Sequence, residues 1–180
     1  SDSVYSGILL ASVSNSTVSN NTIIRTGVYG GGTNGWNAYG ITATNLNNQT
    51  PSSDIMIQGN TIDTVPTWHG LDTHGGIRIS FLNNTIRGAR RGIFITESYG
   101  VGAVDSKTDK NDITAPTSLQ ISACQAIQDG RPTNYCPDIR GISIYNGTGS
   151  ISNNVGHNYP TGSWWNPVSG ASGYTFSGNV

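Results

Sequence analysis

The chain has little charge. Only 11% of its 180 residues are Asp, Glu, Lys or Arg, and nine basic residues against ten acidic ones leave a formal net charge of −1. Without a basic excess there is no electrostatic footprint for nucleic acid. No apolar run is long enough to cross a bilayer as a helix and no signal-peptide pattern is present, so these residues carry no address and no membrane partner is expected. Helical periodicity is missing as well: no amphipathic stretch of three turns can be found. Sparse charge would also suit a disordered chain, but Ile and Val recur with a regular period and 8% of the residues are aromatic, which argues for a packed core. Cysteine is limited to Cys124 and Cys136, which bracket the polar loop from Gln125 to Tyr135. A bridge there would tie down a loose excursion and favour an extracellular or virion-surface setting; the alternative is two unrelated thiols.

What is abundant is Gly, with 24 copies, together with Ser, Thr and Asn, arranged as a repeat. Strand starts recur as Gly7-Ile8-Leu9-Leu10, Gly40-Ile41-Thr42-Ala43, Gly70-Leu71-Asp72-Thr73, Gly92-Ile93-Phe94-Ile95 and Gly141-Ile142-Ser143-Ile144. Between them falls a second signal, an Asn shortly before an aliphatic residue, at Asn21, Asn60, Asn84, Asn111, Asn154 and Asn179. Successive glycines stand 22 to 49 residues apart, so the unit is short and tolerates insertions, as solenoid repeats do. The period of two and the Ile, Val and Thr content make the unit β. The expected fold is all-β: a right-handed single-stranded parallel β-helix with loop insertions, its strands stacked about 4.8 Å apart. Residues 1–180 read as one such domain. Because the pattern begins and ends in mid-unit, a fragment of a longer solenoid is expected, or a homotrimer or neighbouring chains that cap its ends. Asn at a repeated corner predicts an internal asparagine ladder.

Side chains in a strand alternate between core and solvent. Counting from each glycine, Ile8/Leu10, Ile41/Ala43, Leu71/Thr73, Ile93/Ile95 and Ile142/Ile144 point inward. The outward face then carries Leu9 and Ala11, Thr42 and Thr44, Asp72 and His74, Phe94 and Thr96, and Ser143 and Tyr145; only the Gly70 repeat places two ionisable side chains there. His69 precedes that glycine beside Trp68, and Glu97 follows the Phe94 strand. The insertion from Val28 to Ala38 and the one from Tyr99 to Arg140 could wall the face into a groove, with Trp36, Tyr29, Tyr39 and Tyr99 able to stack on sugar rings or simply to pack their loops.

Asp72 and His74, two apart on one strand, have β-carbons roughly 7 Å apart, a spacing suited to flanking a substrate atom rather than to direct pairing. Abstracting the proton beside a uronate carboxylate requires a base, for which His74 is the candidate with Asp72 in support. It requires a cation on the carboxylate, from Arg78, Arg90 or Arg91, and an acid, from Tyr145 or His69. Thr42, Thr44, Phe94, Thr96, Ser143 and Trp36 complete the candidate substrate-binding set. A hydrolase would instead pair Asp72 with Glu97. No cofactor is expected, and calcium at Asp72, His74 and Glu97 is only weakly indicated.

The stretch from His69 to Ile95 resembles the catalytic segment of mannuronan C5-epimerases, and the whole chain is similar to the pectate-lyase-like β-helix superfamily of polysaccharide lyases, glycoside hydrolases and phage tailspike depolymerases. Gly70, Asp72 and His74 match the epimerase pattern, while His69, Thr73 and Gly75 stand where it has Tyr, Pro and an acid. The resemblance implies base and stabilising roles for His74 and Asp72, a polysaccharide partner, and chemistry of the lyase or epimerase type. The other reading is a non-catalytic glycan-binding or structural segment of a tailspike or adhesin.

Overall fold

Crowding explains the repeated glycines. In the computed structural model, which describes residues 3–27, 36–47, 49–129, 135–167 and 171–180 (the last three residues before 168 by backbone only), a β-carbon on Gly70 would stand 2.7 Å from Ile86 Cγ2 and 2.8 Å from the Gly92 carbonyl oxygen. Gly40, Gly92 and Gly141 are pressed by the next strand and by a side chain below in the same way, so no larger residue fits. Tyr29 and most of the first insertion lie outside the described residues.

In chain order the strands are β1 (Ser6–Ala11), β2 (Ser14–Ser19), β3 (Thr22–Ile24), β4 (Tyr39–Thr44), β5 (Ser53–Gln58), β6 (Thr61–His74), β7 (Ile77–Leu82) and β8 (Thr85–Thr96). They continue as β9 (Ser106–Asp109), β10 (Asp112–Thr114), β11 (Arg140–Ile144), β12 (Thr148–Ser152), β13 (Val155–His157), β14 (Trp165–Pro167) and β15 (Gly173–Ser177). The protein is all-β in character, and all its strand-to-strand ladders among the described residues are parallel. One sheet runs β2-β5-β7-β9-β12-β15. The other holds the glycine-led strands in the order β1, β4, β6, β8, β11, followed by β14, and beside them β3 on the first half of β6, β10 on the first half of β8 and β13 on β10. Aliphatic residues in register fill the space between: Ile41, Leu71, Ile93 and Ile142 in one column, Ile62, Ile86 and Ile113 in another, with Ile57, Phe81 and Ile151 from the second sheet, all fully buried. The inward assignments hold on all the central strands.

The asparagine ladder is present along its full length. Each amide of Asn21, Asn60, Asn84, Asn111 and Asn154 donates to the side-chain oxygen of the next, at 2.8–3.0 Å, ending on Asn179. The left-handed residue is the one before each ladder position, with φ from 52° to 63° at Asn20, Gly59, Asn83, Lys110, Asn153 and Gly178. The ladder asparagine thus caps the corner rather than making it.

The long second insertion contains a helix that hydrophobic periodicity does not announce. Helix α1 (Ser118–Ile127) is ten residues long, buries Cys124 among its side chains, and starts at a capping box in which Thr117 and Gln120 bond each other's backbone N–H. Cys124 and Cys136 are bridged, with α-carbons 5.8 Å apart. The bridge closes a loop of 12 residues, whose chain entropy is worth about 3 kcal/mol. Thermal unfolding with and without reductant should therefore show loss of up to about 3 kcal/mol, and a Cys124→Ser, Cys136→Ser double variant should match the reduced protein.

Candidate active site

Register brings the outward residues into three columns. Tyr39, His69, Arg91 and Arg140 form the first; Thr42, Asp72, Phe94 and Ser143 the second; Thr44, His74 and Thr96 the third. The middle column is not solvent-facing: Asp72 and Ser143 are fully buried, and Thr42 and Phe94 nearly so. Asp72 is enclosed by donors. The Thr42 hydroxyl donates to its Oδ1 at 2.9 Å, Nδ1 of His74 lies 2.6 Å from the same oxygen, and Nδ1 of His69 lies 2.6 Å from Oδ2. The direct Asp72–His74 contact overturns the expectation that the two would flank a substrate atom without touching.

Burial alone would raise the carboxyl of Asp72, but the attraction of His74 and the hydrogen bonds from both histidines outweigh it and hold the group well below its ordinary range. Burial likewise opposes charge on His74, yet the Asp72 carboxylate wins and the imidazole is raised above 6.5. For His69 burial wins: with Arg90 and Arg91 also repelling a proton, it is pushed down to about 3. Near neutral pH the site therefore holds an anionic Asp72, a neutral His69 and a titratable His74. A carboxylate only accepts, so both Nδ1 atoms carry hydrogen and Nε2 is the nitrogen His74 has left for other work.

His74 opens onto a cleft of about 190 Å³. Tyr5, Tyr39 and Tyr99 line it with Leu9 and Leu46, and Thr42, Thr44, Asn45 and Ser98 supply its polar groups. A larger hollow, of about 390 Å³, lies at Trp164, Phe176 and Asn179, and no ionisable side chain lines it among the described residues.

The remaining candidates are dispersed. Arg78 is on the other sheet, exposed, and holds Asp54 through Nε and Nη2 at 2.6 and 2.7 Å. Arg90 is buried over the Trp68 ring at 4.3 Å, and Arg91 is engaged by Asp138 and, at 3.2 Å, by the Tyr145 hydroxyl. None of the three lines the cleft, which corrects their assignment to a substrate carboxylate. Trp36 packs its loop instead of offering a platform, its indole N–H donating to the Ile127 carbonyl at 3.0 Å. Glu97 is exposed, accepts from Asn146 at 2.6 Å and does not line the cleft, so it makes no acid pair with the sealed Asp72. His69 is fully buried and cannot meet a substrate; Phe94 stacks on it, with centroids 4.1 Å apart. Thr44 lines the cleft; Thr96, Ser143 and Tyr145 do not. Among the described residues no group of three His, Cys, Asp or Glu side chains could hold a metal ion, so Asp72, His74 and Glu97 form no calcium site.

Sequence reasoning placed Leu9 on the outward face but did not foresee Tyr5, Asn45, Leu46 or Ser98 in the cleft, nor Asp138 on Arg90 and Arg91. A signal for part of this was available: the residue before each repeated glycine reads Ser6, Tyr39, His69, Arg91, Arg140, one column of the face.

Compared with known proteins, the chain matches no family model, no curated protein and no solved structure.

Proposed function

We propose that the chain is a right-handed parallel β-helix of the pectate-lyase-like kind that binds an extracellular or virion-surface polysaccharide and modifies or cleaves it by proton abstraction, with His74 as the base. The observation that carries this reading is the 2.6 Å contact of His74 with the buried Asp72, at the edge of a cleft lined by three tyrosines. Asp72 fixes the tautomer and stabilises the imidazolium that forms when Nε2 takes the proton. Tyrosine rings offer apolar faces with hydroxyl edges, a match for sugar rings. The strand order supports the coil, since the chain returns to each sheet one strand further along, as β2-β5-β7-β9-β12-β15 in one and β1-β4-β6-β8-β11-β14 in the other. The disulfide supports an oxidising location.

With a uronate substrate, the carbon next to the carboxylate loses its proton to Nε2, and the resulting carbanion either takes a proton from the opposite face or expels the oxygen on the neighbouring carbon. The second reading, glycan binding without turnover, is favoured by the cleft's lining, which among the described residues includes no arginine to neutralise that carboxylate. The two separate in one experiment. Uronate-containing and neutral polysaccharides are incubated with the protein and with His74→Ala, and product size and unsaturated-sugar absorbance are followed. A lyase gives unsaturated fragments, and the variant loses about 10²–10⁴-fold in rate while still binding. Binding without any product across the panel selects the second reading.

A further inference from the structure

The Asp72 carboxylate is shared by two histidines that differ in every other respect. His74 is 26% exposed and lines the cleft, whereas His69 is fully buried. The ring of His69 is clamped on both faces, by Trp68 at 4.8 Å and 22° and by Phe94 at 4.1 Å and 26°. Outside these rings lie guanidiniums, Arg90 over Trp68 at 4.3 Å and Arg91 over Phe94 at 4.9 Å. The other titratable groups facing the pair among the described residues are Tyr39, edge-on to both imidazoles, Tyr5, packed on Tyr39 and acted on by the Asp72 charge, and Asp138, which holds the two arginines. Nε2 of His69 is buried with no hydrogen-bond partner, so a proton there would have nothing to bond.

We infer that His69 is a positioning residue: clamped between Trp68 and Phe94, its Nδ1–H holds Oδ2 of Asp72 and so keeps Oδ1 turned toward His74. A carboxylate with one oxygen fixed cannot rotate about its terminal bond, and its other oxygen stays in line with Nδ1 of the base. His69 acts only through Asp72, with no contact to the cleft. The inference rests on the reading of His74 as the base, but its structural part is testable without a substrate.

The test is a nitrogen-15 NMR titration of the histidines in the wild-type protein, in His69→Phe, which keeps a stacking ring and loses the donor, and in His69→Asn, whose amide restores an N–H at the position of Nδ1. In the wild type, His69 should show a protonated Nδ1, a bare Nε2 and no titration from pH 8 to about 4, while His74 titrates above its ordinary value. In His69→Phe the carboxylate is released and the His74 midpoint should fall by about one unit; His69→Asn should recover at least half of that. If a turnover assay exists, kcat and its pH profile should move with the midpoint while KM stays. Titration of His69 near neutrality, a proton on its Nε2, or a His74 midpoint in His69→Phe that is unchanged or raised would overturn the role. A rise is what a carboxylate that merely lost one donor, without turning, would produce. Inactivity of the wild type with the expected titrations would count against the catalytic reading alone and leave the positioning contact standing.

Discussion

Asn84→Ala should be among the most destabilising single changes in this protein, although Asn84 lines neither the His74 cleft nor the Trp164 hollow. Its side chain is buried and makes four bonds: Nδ2 donates to the Ile57 carbonyl and to Asn111 Oδ1, both at 2.9 Å, and Oδ1 accepts from the backbone and side-chain nitrogens of Asn60, both at 3.0 Å. Truncation leaves the buried N–H of Asn60 without its acceptor and removes a donor from the Ile57 carbonyl. A stranded buried polar group costs about 1–3 kcal/mol, and the cavity adds to it, so a loss of about 3–5 kcal/mol is expected. That is a large share of the 5–15 kcal/mol typical of a domain. Asn21→Ala, at the partly exposed end of the ladder, should cost about 1 kcal/mol, since water can replace the lost bond. Urea unfolding of both variants with unchanged slope is the measurement; equal, small effects would mean the ladder is not cooperative.

The all-β character and the parallel stacking were legible because the two repeated signals are backbone requirements. A glycine is needed wherever a neighbouring carbonyl and an Ile methyl close on the α-carbon, and an asparagine wherever a corner exposes an N–H to the strand stacked beside it. Both repeat at every turn of the pattern and survive insertions between them. Period-two counting worked for the same reason on the straight parts of the strands. It failed at the corner through Gly70, where the ladder register shifts between Val65 and His69 and the imidazole reaches the buried carboxylate. The separation of two β-carbons on one strand also misled, because an imidazole and a carboxylate together span that gap once both are enclosed. Arg90 and Arg91 were misassigned because their partner, Asp138, arrives from the end of a long insertion, 47 residues after Arg91. Helix α1 is under three turns long and buries few side chains, so only its capping box, Thr117 to Gln120, marked it.

Asp72→Asn should have the largest effect on the site. The amide keeps the shape but can accept on one atom only, so the two imidazoles cannot both donate to it as they donate to the carboxylate, and one must flip its tautomer or lose its bond. His74 then loses the charge that holds its proton, burial becomes the dominant influence, and its midpoint should drop below 6.5. Turnover, where His74 is the base, should fall about 10²–10⁴-fold. The pH dependence of stability follows from the signs of the shifts. In the wild type the raised His74 contributes stability that is complete below about 6.5 and fades as pH rises through its folded value; the lowered Asp72 contributes above about 3.8 and is lost on acidification below that. His69, folded near 3 and 6.5 when unfolded, lowers stability progressively between those values as pH falls, by up to about 1.4 kcal/mol per unit. In Asp72→Asn the His74 contribution changes sign and joins that of His69, so the variant should lose stability more steeply than the wild type as pH falls below 6.5. Chemical unfolding of both proteins at intervals from pH 8 to 4 measures the two slopes. Parallel slopes would mean that His74 owes its proton affinity to something other than Asp72, and the buried carboxylate would then be a structural group with no hold on the base.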